Sequence, residues 1–337
     1  MNALIIQKAG PGLTVQDLGR PDMAHLGLSR GGAADPVALY EAAALLSQST
    51  PQAVLEMAGI GGTFEVTMPT RIALTGAPMR ASVGTQALRW NATHLLSPGE
   101  SLTIGAAERG SYGYLSFAGG ILTPETLSSR STHVTAGLGG PLKDGTRLPL
   151  GEDADPGAAS VGLPLETRFS GGDIRYIAGP QTGLFAPDVL SRFADTTFTR
   201  SVTANRQGVR LEADARFPSQ APSGLASDFI LEGDLQMTGD GLPYVLLCEC
   251  QTIGGYPRIG TVIAADLPMV AQAGQGAELW FRQITLDEAD RIATAHDARL
   301  KELRRKVQPL IRDPSTIHDL LSYQLISGVT AGDDLDD

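Results

Sequence analysis

Glycine and proline interrupt this chain so often that long regular segments are confined to a few places. There are 40 Gly and 21 Pro among 337 residues, with no collagen period. Glycine costs backbone entropy inside regular elements and proline removes a hydrogen-bond donor, so both collect at turns. Short apolar runs bounded by such residues are the pattern of a mainly β protein. Residues 62–66, 71–75 and 111–117 read as strands in the first half. Residues 174–178, 206–212, 229–237, 244–250, 260–264 and 278–284 read as strands in the second. Asp35 is placed to cap a helix that has Pro36 at its first position and continues through 37–46. A short helix is expected near 183–193. Thr285 and Glu288 form a capping box for a longer helix running through residue 307. The Gly/Ala/Pro/Asp-rich stretch 151–164 reads as a crossover between two halves. The acidic residues 333–337 read as a frayed tail.

Composition narrows the partners. Hydrophobic residues make up 42% and charged residues 19%, enough for an ordinary core, and net charge is −11 with only four lysines. Nucleic acid and anionic membranes are bound by clustered Lys and Arg, so neither is an expected partner. The basic cluster at 299–306 has helical spacing and reads as a solvated helix face. Cys248 and Cys250 would share a strand face, which is poor disulfide geometry, and are too few for a metal. They read as reduced, packed thiols of a cytoplasmic protein. Residues 1–8 read as a first strand rather than a leader. No apolar stretch approaches the roughly 18 residues of a membrane span.

Common catalytic signatures are missing. No Gly-Lys-Ser or Gly-Lys-Thr occurs, so there is no P-loop, and no Rossmann glycine fingerprint follows the first strand. The five histidines lack paired spacing, so no metal site is expected. No G-x-S-x-G elbow is present.

Four constellations remain. Gln251-Thr252-Ile253-Gly254-Gly255-Tyr256-Pro257 lies between two apolar runs. Two adjacent glycines permit close backbone approach, and Gln and Tyr supply neutral donors and acceptors. The segment suits either a small-ligand cradle or a bulged hairpin. Gln16-Asp17-Leu18-Gly19-Arg20 places an amide, a carboxylate and a guanidinium together. Arg20 can fork onto a carboxylate or phosphate, or pair with Asp17 to fix the loop. Ser128-Ser129-Arg130-Ser131-Thr132-His133 puts four hydroxyls around one Arg, suited to an oxyanion or simply to a polar turn. Asn205-Arg206 opens a strand and by itself says nothing.

In order and spacing these segments resemble one family. Residues 12–20, Gly31-Gly32-Ala33-Ala34-Asp35, Leu55-Glu56 and Ala73-Leu74-Thr75-Gly76-Ala77 carry the resemblance in the first half. Phe117-Ala118-Gly119-Gly120, Ser129-Arg130-Ser131-Thr132, Gly179-Pro180-Gln181, residues 251–257, Asp266-Leu267-Pro268 and Ala271-Gln272 continue it. The chain resembles the biotin-dependent carboxyltransferase, or allophanate hydrolase subunit 2, family over roughly residues 3–290. That family includes the C subunit of 5-oxoprolinase, the antagonist of a sporulation kinase inhibitor, and the urea carboxylase carboxyltransferase domain.

The resemblance implies two cyclophilin-like β-barrel units, here assigned to 1–165 and 166–290, followed by a C-terminal helix and acidic tail at 291–337. It implies a partner, the allophanate hydrolase subunit 1 or kinase-inhibitor-like protein, and a lamB-type third subunit. The implied activity is ATP-dependent opening of 5-oxo-L-proline to L-glutamate, with ATP bound where subunits meet. The alternatives are carboxyl transfer from carboxybiotin to urea or a related amide, and a non-enzymatic antagonist that binds a kinase inhibitor. Asp17, Asp35 and Gln251 are the candidate catalytic residues. Gln16, Arg20, Arg130, Thr132, Arg206, Gln236, Thr252, Gly254, Gly255 and Tyr256 are the candidate substrate-binding residues. The chain departs from the family at residues 31–35, 204–208, 233–238 and Cys248-Glu249-Cys250. A basic residue is common just before Gln251 and is missing here, which bears on the substrate's charge.

Overall fold

The structure, a computed structural model, describes residues 2–222 and 225–310. The acidic tail at 333–337 and most of the segment 291–337 lie outside the described residues.

The first half builds two antiparallel sheets around one core. A six-stranded sheet runs in the order Arg147–Pro149, Ala3–Ala9, Ile60–Val66, Leu102–Ala107, Met79–Val83, Gln86–Leu88. A seven-stranded sheet runs Thr14–Gln16, Val54–Ala58, Tyr112–Phe117, Thr70–Gly76, Ala92–Leu96, Val161–Gly162, Gln308–Pro309. Leu4, Ile6, Phe64, Ile72, Leu74 and Leu102 fill the space between the sheets.

Strand periodicity then decides what the outer face of the seven-stranded sheet does. Successive side chains alternate between faces. On Tyr112–Phe117, Leu115 and Phe117 join the inter-sheet core, while Tyr112 and Tyr114 join a second cluster shared with the other half of the chain. On Val54–Ala58, Leu55 and Met57 face inward and Val54 joins the shared cluster. Glu56 falls on the face of Val54 and is buried there, hydrogen-bonded to Tyr114. The sheet is therefore covered on both sides, and a carboxylate is sealed between the halves.

Helix α1 (Pro36–Leu45) lies against this face, and apolar residues surround most of its circumference. A helix apolar all round is a buried helix. Pro36 starts it as expected, yet Asp35 does not cap it: the Asp35 side chain makes no cap hydrogen bond. Its carboxylate is drawn instead to Arg168 and Gln272.

The second half closes into a seven-stranded barrel. The strands are Gly172–Ile177, Arg258–Val262, Asp234–Met237, Pro243–Leu246, Gly208–Glu212, Thr197–Ala204 and Glu278–Ile284. Parallel pairing of Gly172–Ile177 with Glu278–Ile284 completes the ring and removes its edges. Helix α2 (Pro187–Ala194) sends Val189 and Phe193 into the barrel. Phe193 packs on Tyr176, Phe198, Phe217 and Phe281 with ring centroids 4.9–5.9 Å apart. Helix α3 (Leu267–Gln272) follows the Arg258–Val262 strand.

Helix α4 (Leu286–Glu302) starts as the capping box requires, with the Glu288 N–H donating to Thr285 Oγ1 at 3.2 Å. It stops earlier than expected, passing into a 3₁₀ turn at Leu303–Lys306. The basic cluster is only partly solvated. Leu303 is buried against α1, and Arg299 pairs with Glu166 at 2.6 Å. The chain then returns to the first half, where Gln308–Pro309 pairs with Val161–Gly162 at the edge of the seven-stranded sheet.

The cysteines depart from expectation. The strand ends at Leu246, and the irregular segment that follows sends Cys248 into the shared core and Cys250 into a separate small cluster. Both are free and buried. Burial pushes both thiols up to about 12, so neither ionises near neutrality.

Candidate functional site

The loop at 251–257 is both a hairpin arm and a cavity wall. Ile253–Gly254 pairs with Asp228–Phe229, the Thr252 carbonyl accepts from Ile230 N–H, and the Pro257 carbonyl accepts from Met237 N–H. Those bonds fix the loop against the outer face of the barrel wall, where Arg210, Gln236 and Tyr244 alternate with the core residues Val209, Leu235 and Val245. A cavity of about 520 Å³ lies there, lined by Asn205, Gln207, Arg210, Gln236, Tyr244, Gln251 and Tyr256, among others. Thr252 is buried behind this wall. Gly254 packs closely on the wall: a Cβ there would sit 2.8 Å from the Gln236 amide nitrogen and would push that amide aside.

The wall is rich in uncommitted polar groups. The side-chain amides of Gln16, Gln48, Gln181 and Gln272 all hydrogen-bond to protein atoms. Among the described residues no such partner is recorded for the Gln236 amide, the Gln251 amide or the Tyr256 hydroxyl. Gln236 is nearly buried and Gln251 is exposed. Arg210 sits at the rim over the Tyr244 ring and pairs with Asp240 at 2.7 Å. Such a site offers two neutral amides, a phenol and one partly neutralised cation to a small polar ligand.

Behind the cavity lies a buried charge network centred on Arg206. Its guanidinium bridges Glu56 of the first half to Glu249, with Arg206 Nε donating to Glu249 Oε1 at 2.6 Å, and it also donates to the Gly32 carbonyl. Glu56 also accepts from Ala34 N–H and from the Tyr114 hydroxyl, each at 2.8 Å. Glu249 also accepts from Thr135 N–H and Oγ1, each at 3.2 Å. Burial pushes the Glu249 carboxyl up, but the charge and hydrogen bonds of Arg206 outweigh it and hold the group below its ordinary range. Glu249 stands two residues before Gln251, so this network anchors the cavity loop to the first half.

Ser29, His133 and Glu249 look like a nucleophile–base–acid series. Ser29 Oγ lies 3.0 Å from His133 Nε2, and His133 Nδ1 lies 3.7 Å from Glu249. The hydrogen bonding argues against that chemistry. Ala136 N–H donates to Nδ1 at 3.2 Å, so Nδ1 is an acceptor and Nε2 carries the proton. His133 then donates to Ser29 and cannot take its proton. Burial also lowers the His133 pKa.

The sequence candidates divide on this geometry. Gln236, Gln251 and Tyr256 converge on the cavity, with Thr252, Gly254 and Gly255 in the supporting loop. Arg206, expected to hold a substrate anion, is consumed by two carboxylates and a carbonyl and positions the loop instead. Asp35 is fully buried; its Oδ2 accepts from Arg168 and Gln272, both at 2.8 Å, which places it far from a role as base. Asp17 and Arg20 do not pair with each other. The Asp17 carboxylate collects Ser129 Oγ, Ser131 Oγ and the N–H groups of Gly19 and Arg130. Arg20 donates to the carbonyls of Thr126, Ser129 and Ser131. Gln16 is buried and donates to the Thr132 carbonyl. Arg130 donates to the Thr123 carbonyl and pairs with Glu125. These residues organise the 123–133 loop, apart from the cavity on the barrel wall.

Gln207, Arg210, Asp240 and Tyr244 were not foreseen, and Asn205 carried no signal alone. For Gln207 and Arg210 the one sequence signature is the alternation along residues 206–212, which does not reveal which face meets a cavity. Gly19 and Gly32 explain the doubled glycine at 31–32. A Cβ on Gly32 would lie 2.5 Å from Gly19 N, and both residues have positive φ, 73° and 84°.

Comparison with known proteins decides the family. The profile described as "Carboxyltransferase domain, subdomain A and B" matches residues 26–283. The chain belongs to the carboxyltransferase-domain family. The 5-oxoprolinase C subunit of Escherichia coli K12 is 34% identical over 291 residues, covering 85% of this carboxyltransferase-domain chain and 93% of that protein. The 5-oxoprolinase C subunit of Haemophilus influenzae is 28% identical over 299 residues, covering 87% and 95%. The crystal structure of the K. lactis urea amidolyase superposes with a TM-score of 0.81 at 23% identity, covering 93% of this chain and 21% of that one. This last likeness shows the fold; the chain spans about a fifth of that protein. No helix among the described residues is long and apolar enough to cross a membrane.

Proposed function

We propose that this chain is the C subunit of an ATP-dependent 5-oxoprolinase and that the cavity on the outer wall of its barrel receives the lactam. The supporting observation is the pair of unpartnered amides, Gln236 and Gln251, on one wall with Arg210 at the rim. A lactam presents one N–H and one C=O side by side, which two amides complement, and its carboxylate suits a guanidinium. The polar wall also supports a loop that holds a carbonyl in reacting geometry.

In this reading ATP phosphorylates the lactam oxygen, releasing ADP. Water adds to the same carbon, the C–N bond breaks with a proton moving to nitrogen, and a second water releases phosphate and glutamate. Gln251 and Tyr256 orient the lactam and its water. ATP is a co-substrate held where subunits meet. A subunit 1, kinase-inhibitor-like partner and a lamB-type third subunit make up the rest of the enzyme, which works in the cytoplasm and is inactive as this subunit alone.

The test is ATP-dependent glutamate release from 5-oxoproline by the three reconstituted subunits. Activity that collapses with Gln236→Ala and Gln251→Ala supports the proposal. The same amide-lined cavity also suits urea, in keeping with the urea amidolyase relatives. Turnover of urea with a biotin carboxylase and carrier, and none of 5-oxoproline, would overturn the first reading in favour of carboxyl transfer.

A further inference from the structure

Among the described residues that line the barrel-wall cavity, Arg210 is the one cation and Asp240 the one carboxylate. They pair with each other at 2.7 Å, and among the described residues Arg210 has no other ion-pair partner.

Strand register sets what Arg210 can reach. It lies directly opposite Tyr244 on the neighbouring strand, and Tyr244 lies opposite Gln236 on the next. The three residues form one row on the outer face, two strand spacings or about 10 Å from end to end. The Arg210 guanidinium stands over the Tyr244 ring, 6.0 Å from its centre. In a lactam whose carboxylate sits beside the ring nitrogen, both polar ends fit within that row. The Gln236 amide faces one end and the Arg210 guanidinium the other.

Asp240 meets this row from a turn. Residues 238–242 join the strands Asp234–Met237 and Pro243–Leu246, with Gly241 at φ 74° and its N–H donating to the Thr238 carbonyl at 2.9 Å. The Thr238 hydroxyl hydrogen-bonds the Asp240 carboxylate and fixes it at the turn. The Arg210 and Asp240 side chains are 30% and 45% exposed. Water and salt screen such a pair, so it is readily exchanged for another. Arg206, held between two buried carboxylates, has no such freedom.

We propose that Asp240 is a positioning residue that sets the cavity's charge preference: it competes for Arg210 with the carboxylate of the bound lactam. The inference rests on the reading of this cavity as a lactam site. Removing the Asp240 charge leaves Arg210 wholly available, so an anionic lactam binds more tightly and a neutral one as before.

The experiment measures kcat and KM for 5-oxoproline in the reconstituted three-subunit enzyme, with the inhibition constant of 2-pyrrolidinone, the same lactam without its carboxylate. Asp240→Asn should lower KM for 5-oxoproline about two- to fivefold, the worth of an exposed ion pair, and leave the inhibition constant of 2-pyrrolidinone as it was. The change should fall on KM rather than kcat, because it alters binding common to ground and transition states. Arg210→Gln should raise KM about tenfold or more, and adding Asp240→Asn to that variant should then change nothing further. If 2-pyrrolidinone does not inhibit, the double variant decides alone. A KM unchanged or raised in Asp240→Asn, a parallel shift for both lactams, or an equal effect of Asp240→Asn in the Arg210→Gln background overturns the proposal while leaving the lactam reading intact. No turnover of 5-oxoproline by the unsubstituted enzyme overturns that reading, and the proposal with it.

Discussion

Replacing Arg206 by Met should be among the most damaging single changes in the protein, and its cost should depend on pH in a defined direction. Arg206 serves two carboxylates, Glu56 and Glu249, whose side chains are each 2% exposed. Removing one partner of a buried pair costs about 3–5 kcal/mol, because the other charge is left without compensation. Here two charges lose one guanidinium, and the Gly32 carbonyl loses a donor, so the upper part of that range, about 4–5 kcal/mol, applies at neutral pH. That is a large share of a total of about 5–15 kcal/mol. In the native protein the Glu249 carboxyl lies below its ordinary value, so its contribution is present above the unfolded value and is lost as pH falls through the folded one. In the variant, burial outweighs the remaining Thr135 hydrogen bonds and raises that carboxyl, so protonation relieves the variant as pH falls. The deficit should be widest near pH 7 and shrink toward about pH 4. Urea unfolding followed by the fluorescence of Trp90 and Trp280 measures it at both ends. Adding Glu249→Gln to the variant should recover part of the loss. A deficit below about 1 kcal/mol, the scale of an exposed pair, or one that does not change with pH, refutes this account of the network.

Other outcomes follow from the same geometry. In the reconstituted enzyme, Gln236→Ala and Gln251→Ala should each lower kcat/KM by about tenfold or more while leaving the melting temperature near native, since each removes a ligand contact and no protein partner. Phe193→Ala should cost about 3–5 kcal/mol in denaturant unfolding, because α2 delivers this ring to the centre of the aromatic cluster. Gly32→Ala should destabilise by about 1–3 kcal/mol, since the backbone is left-handed and the Cβ would meet Gly19. Iodoacetamide at pH 8 should leave Cys248 and Cys250 unmodified in the folded chain and label both in urea; fast native labelling would contradict their burial and raised pKa.

How much of this was legible in the sequence depended on chain separation. The cap at Thr285 is three residues from its partner, and the alternation along Tyr112–Phe117 is a local pattern, so both could be read directly. The abundance of Gly and Pro signalled a mainly β chain with few helices. Asp35 shows the limit. Its local context is an ideal helix start, but Arg168, 133 residues away, wins its carboxylate, because a buried guanidinium must be neutralised. Asp17 and Arg20 are neighbours that look made for each other, yet each is satisfied by a loop more than 100 residues on. The cavity wall is similar: Gln236 and Gln251 were recognisable as residue types, whereas Gln207, Arg210 and Tyr244 became site residues only when the barrel closed.

The return of Gln308–Pro309 to the first sheet has a consequence for synthesis on the ribosome. The strand it pairs with, Val161–Gly162, emerges almost 150 residues earlier. Until the barrel and α4 have been made, the seven-stranded sheet carries an open edge and α1 lacks its cover from Leu303. The first half can therefore begin to fold early but stays unfinished until nearly the whole chain is out. An exposed edge over that interval invites pairing with another nascent chain. Truncation after α4 would make that temporary state permanent.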